Sequence, residues 1–185
     1  MNNKRTGNNY ERQVAKQLSL WLTDGQSDDV CWRDIGSGNR ATIRAKQGKT
    51  STRSGDFVPT DLNYKWFFDA FCVDSKCYKE WNPVFINESN IKSNSIFNQW
   101  VKVIEESQGR IPFMICHIRD RRTPDFILLP SYVRYPDGFD LSFMYYTFGE
   151  KSLGFHKDCC LLLVDEFFKT NVKEFYELNK EHVKC

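Results

Sequence analysis

The run Phe71, Cys72, Val73, Asp74, Ser75, Lys76 constrains this chain more than any other segment. Its apolar, aromatic-led character reads as a β-strand. Side chains alternate faces along a strand, so Asp74 and Lys76 project from the same side. The plain reading of such a pair is a solvated ion pair on a strand face, worth under about 1 kcal/mol. Two further acids alter that reading. Asp56 follows Ser54 and Gly55 in a segment ending at Pro59, and Glu11 lies near the start of an amphipathic stretch.

Carboxylates beside an ammonium supply what metal-assisted phosphodiester hydrolysis needs. The carboxylates hold a hard divalent cation, and the lysine stabilises a water-derived nucleophile or the phosphate charge. Taken singly, each residue has a simpler role. Glu11 would be a first-turn helix acid favoured by the dipole, and Asp56 a turn residue after glycine. Asp69 is a rival acid, but it lies five positions before Asp74 and faces elsewhere. Cys72 and Cys77 approach zinc-ligand spacing without a matching second pair, so buried thiols are the better account.

With 185 residues the chain suits one domain over 1–185, elaborated by a basic loop at 39–54 and a C-terminal part at 131–185. Hydrophobic content of 41% and aromatic content of 15% exclude a disordered chain. The net charge of +2 says little, but its distribution says more. Residues 39–54 hold Arg40, Arg44, Lys46, Lys49 and Arg53 with no acid, a composition suited to phosphate contact. Seven scattered cysteines, a polar N-terminus and no apolar run of spanning length lead us to expect a reduced, cytoplasmic protein without a membrane segment.

Helical periodicity predicts a helix over 9–22, through Tyr10, Val14, Leu18, Trp21 and Leu22, stopping at Asp24 and Gly25. Strands are expected at 30–35, at 56–58 and towards the end of 66–76. A helix follows at 95–107, and then apolar strands at 111–118 and 126–129 that could form a hairpin. A short buried strand at 159–164 and a helix within 165–184 complete a mixed α/β sandwich. Residues 131–158 show no usable pattern.

In order along the chain, these pieces resemble the PD-(D/E)XK nuclease superfamily, and within it Holliday junction resolvases and related phage endonucleases. Gly7 to Arg12 resembles the helix opening that bears the first glutamate. Trp32, Arg33 and the following Gly36, Ser37, Gly38 resemble the resolvase arginine and serine-glycine loop. Ser54 to Phe57 stands at the first metal aspartate, and Val73 to Tyr78 at the usual Glu-Cys-Lys run. There are three departures. Gly55 stands where a proline usually precedes the aspartate, Asp74 replaces glutamate, and the insert between Gly38 and Asp56 is long and basic.

The resemblance implies a restriction-endonuclease-like core, a central mixed β-sheet flanked by α-helices. It implies Mg²⁺ or Mn²⁺ held by Asp56, Asp74 and the Ser75 carbonyl, with Glu11 as a direct or water-mediated ligand and Lys76 as the catalytic cation. It also implies a homodimer acting on DNA, possibly branched, in the host cytoplasm if phage-encoded. Arg33, Ser37, Arg40, Arg44, Lys46, Lys49 and Arg53 are the candidate DNA-binding residues. The rivals are a sequence-specific restriction-type endonuclease and a non-catalytic nucleic-acid-binding protein of the same fold.

Overall fold

A computed structural model describes residues 3–34, 55–79, 95–119, 123–139, 145–146 and 159–183. Helix α1 runs over Asn3–Leu22. Tyr10, Val14, Leu18, Trp21 and Leu22 are buried at the expected spacing, joined by Ala15. The helix begins earlier than the sequence predicts. Gly7 lies in open space, and extending an established helix is far cheaper than starting one. It stops where predicted: Asp24 and Gly25 both take positive φ, and the Gly25 N–H donates to the Leu20 carbonyl at 2.7 Å.

Strands β1 (Cys31–Arg33) and β2 (Phe57–Pro59) pair antiparallel as a separate two-stranded ribbon, with Trp32 opposite Val58. The strand expected towards the end of 66–76 is β3 (Phe71–Tyr78), and helix α2 (Lys65–Ala70) leads into it. Its aromatic residues suit either state, and local contacts select the helix. Asp61 caps the preceding turn by accepting from the Asn63 N–H at 2.9 Å. Lys65 pairs with Asp69 one turn on, which places that rival acid on the surface, away from Asp74. Phe67 then stacks on Phe71, with ring centroids 4.8 Å apart.

The main sheet has the order β3-β4-β5-β7-β6, formed with β4 (Ile111–Ile118), β5 (Phe126–Pro130), β6 (Tyr145–Tyr146) and β7 (Cys159–Leu163). Strands β3 and β4 are parallel, which requires a crossover, and helix α3 (Ser95–Glu106) lies between them in the chain. The other pairs are antiparallel, including the expected β4–β5 hairpin. The C-terminal helix divides in two, α4 (Val164–Phe167) and α5 (Val172–Asn179). Asn171 starts the second by accepting from the Lys173 and Glu174 N–H groups.

Two apolar cores result. One joins α1, α2, α4 and α5 to Phe71, Val73, Phe113 and Ile115, while the other packs α3 on Met114, Cys116 and Ile118. This is the mixed, helix-flanked sheet the sequence suggests, with β3 on its edge. No helix among the described residues is long and apolar enough to cross a membrane.

Phe67 is fully buried and touches the rings of Trp21, Trp66, Phe68, Phe71 and Phe113. Phe67→Ala should cost about 3–5 kcal/mol in urea denaturation. A loss below about 1 kcal/mol would show that α2 is not keyed into the core.

Candidate active site

An edge strand presents unpaired N–H and C=O groups along one side. On β3 the chain itself takes up part of that side. The Asp56 N–H donates to the Val73 carbonyl at 2.8 Å, and the Ser75 N–H donates to Asp56 Oδ2 at 3.0 Å. Asp56 is therefore fixed through both backbone and side chain. A strand residue's N–H and C=O leave on the same side, so the Ser75 carbonyl also faces this edge.

Gly55 makes the approach possible. Its φ is +100°, and a Cβ there would lie 2.8 Å from the Val73 carbonyl oxygen. Proline, fixed near −65°, cannot adopt that backbone. The departure from the usual proline thus reflects a different route of the chain into the same aspartate.

Asp74 and Lys76 share the side of β3 on which Met114 and Cys116 lie in β4. Lys76 Nζ donates to Asp74 Oδ1 at 2.8 Å and lies 2.7 Å from Oδ2, the second approach lacking hydrogen-bond direction. Asp56 Oδ2 is 3.5 Å from the same nitrogen. Asp56, Asp74 and Lys76 are thereby brought into one cluster. Glu11, from the first half of α1, forms an ion pair with Arg33 Nη1 at 3.4 Å and lies in the field of Asp56 and Lys76. Arg33 is drawn into the site beside Glu11, rather than standing out on the strand edge. Its Nε is buried and has no hydrogen-bond partner. Ser37, Arg40, Arg44, Lys46, Lys49 and Arg53 lie outside the described residues.

The site holds more negative charge than one lysine offsets. Burial, then the Asp56 charge, raises the Asp74 carboxyl well above the usual carboxylate range. Burial also works against the Asp56 charge, but Lys76, Asp74 and the Ser75 N–H outweigh it and hold that carboxyl low. A proton held by the pair therefore resides on Asp74. Burial opposes the Lys76 charge as well, yet the two aspartates raise its pKa and keep it cationic. Burial and the Asp56 charge raise Glu11.

A divalent cation fits this arrangement. Asp74 Oδ2 is buried with no hydrogen-bond partner of its own, and the donors are carboxylate and carbonyl oxygens, which hard cations prefer. Among the described residues no three His, Cys, Asp or Glu side chains form a metal-binding group. The side-chain donors at this point are therefore the two aspartates, with Glu11 set back against Arg33.

Sequence reasoning missed His117 and Asp125. His117 Nδ1 lies 2.6 Å from Asp125 Oδ1, at the same end of β3 and β4 as this cluster but on the other face of the sheet. The two residues flank the turn of the predicted hairpin, a proximity that could have suggested the pair.

A mixed sheet flanked by helices, with two aspartates and a lysine gathered at its edge strand, is the restriction-endonuclease-like architecture expected from the sequence. The family described as "phage putative PDDEXK endonuclease" matches residues 2–184, and the chain belongs to that family. Neither a curated protein nor a solved structure gives a significant match.

Two outcomes follow from the charge balance. Gly55→Ala should lower stability by about 1–3 kcal/mol, because a side chain must enter a strained backbone against Val73. Equal denaturation midpoints for the two proteins would refute that close approach. The raised pKa of Asp74 gives a stability contribution that is complete below the ordinary carboxylate value of about 4 and is lost as pH rises through its folded value. Asp56, held low, has the opposite sign and loses its contribution only as pH falls below that range. In EDTA the melting temperature should therefore decline as pH rises above about 4, and Asp74→Asn should flatten the decline. A slope unchanged by the substitution would place the titration elsewhere.

Proposed function

We propose that the protein is a Mg²⁺-dependent DNA endonuclease, most consistent with a structure-selective, resolvase-like enzyme that works as a homodimer from a single nuclease domain. The observation that carries the reading is the convergence of Asp56 and Asp74 on Lys76 at the edge of β3. The preference for branched DNA and the dimer rest on the resemblance of Glu11, Arg33 and the Gly36, Ser37, Gly38 loop to resolvases.

Asp56, Asp74 and the Ser75 carbonyl would hold Mg²⁺ or Mn²⁺, with Glu11 placed to hold a water beyond them. The ion, when bound, would acidify a water and offset charge on the scissile phosphate. Lys76 would orient the attacking water or bind a phosphate oxygen, its ammonium kept charged by the two aspartates. Arg33, held beside Glu11 by its ion pair, would add positive charge next to the scissile phosphate. As the water oxygen bonds to phosphorus it gives up a proton to solvent, the ester P–O bond breaks, and its electrons leave on the departing oxygen, which takes a proton from water. The basic segment around Arg40, Arg44, Lys46, Lys49 and Arg53, with Ser37 before it, would add phosphate contacts along the duplex.

Labelled four-way-junction and linear duplex DNA, incubated with Mg²⁺ or with EDTA, separate the readings. Cutting should require the metal, favour the junction, and fall at least about 100-fold in Lys76→Ala. Equal cutting of linear DNA at a defined sequence would select a restriction-type enzyme. Salt-sensitive binding without cutting of either substrate would leave a binding protein that retains the nuclease fold.

A further inference from the structure

On the other side of the sheet from Asp74 and Lys76, at the same end of β3 and β4, lies a second group of polar side chains. His117 stands opposite Cys77 in the parallel register, one residue beyond the Lys76–Cys116 pair and one strand inward, a step of about 5 Å. Asp125 holds its Nδ1 at 2.6 Å, and the Tyr10 ring stacks on it with centroids 5.0 Å apart and planes at 27°. Tyr10 directly precedes Glu11, so one turn of α1 borders both groups. Arg119, two residues past His117, donates Nε to Cys77 Sγ at 3.5 Å and its N–H to the Tyr78 carbonyl at 2.9 Å.

A histidine serving only the core is enclosed. His117 is held on one side and open on the other. Asp125 Oδ1, at hydrogen-bond distance from Nδ1, fixes the orientation of the ring. With that nitrogen and one ring face covered, the 36% of the side chain left exposed includes the Nε2 edge. Nε2 makes no hydrogen bond among the described residues. The Tyr10 hydroxyl is buried beside Asp125 without a well-directed hydrogen bond. Burial and the Asp125 charge raise its pKa and keep it a neutral donor.

We infer that His117 and Arg119 form a second phosphate-contacting site at the same end of the sheet as Lys76 but on its other face, with Asp125 and Tyr10 orienting His117. The inference rests on the nuclease reading proposed above. It adds contacts that neither the two aspartates nor the basic segment at 39–54 provides.

Equilibrium binding of a fluorescent duplex in EDTA, over a series of salt concentrations, tests it. His117→Ala should weaken binding roughly three- to tenfold. Arg119→Gln should weaken it similarly and lower the slope of log affinity against log salt by about one. His117→Lys, which restores a donor to phosphate, should recover most of the affinity, a rescue that a purely structural role would not give. Wild-type binding and metal-dependent cutting, with affinities and salt slopes unchanged in all three variants, would overturn the second site alone. Failure of the wild type to bind or cut DNA would overturn the nuclease reading and this site with it. Should His117→Ala melt early, Arg119→Gln decides the matter, and an unaltered salt slope refutes the site.

Discussion

The double attachment of Asp56 to the free edge of β3 organises the molecule's functional end. One backbone bond to Val73 and one side-chain bond from Ser75 bring a distant loop segment to a fixed place on the strand. Without them β3 would present open polar groups, and the ribbon of β1 and β2 would have no anchor at this point. The same bonds set the spacing between Asp56 and Asp74, and so the balance of charge around Lys76. Sheet completion and site assembly are here a single event.

The folded chain tolerates an electrostatic arrangement that is unfavourable when left alone. Two carboxylates share a poorly hydrated region with one ammonium, and burial makes their mutual repulsion strong. The cores above and below the sheet must hold these groups together. The aromatic packing of Phe67, Phe71, Phe113, Phe167 and Phe175 provides such support on one side, and Trp100 with its neighbours provides it on the other. Stability stored in apolar contacts thus sustains a site that lowers stability locally, an exchange common where charge is needed for chemistry.

Much of this was legible in the chain. The period-two spacing of Asp74 and Lys76 placed both on one side of β3, and the heptad-like spacing from Tyr10 to Leu22 defined α1, because both patterns are local. Helix α2 was not legible because bulky aromatics fit helix and strand equally, and the contacts that decide it involve Trp21 and Phe113, far away in the chain. Asp56 could be nominated as an acid, but its bond to the Ser75 N–H depends on a left-handed glycine and on register between separate segments. His117 and Asp125 escaped notice for a similar reason. Each is ordinary alone, and only the β4–β5 pairing brings them together.

Gly55 has a consequence for how this motif can vary. Its backbone conformation and its distance from Val73 leave no room for any side chain, and the proline found in related motifs needs a backbone on the opposite side of the φ map. Single replacements therefore do not connect the two forms. A chain passing from one to the other would have to re-route the whole approach to the aspartate at once, including its partner on the strand.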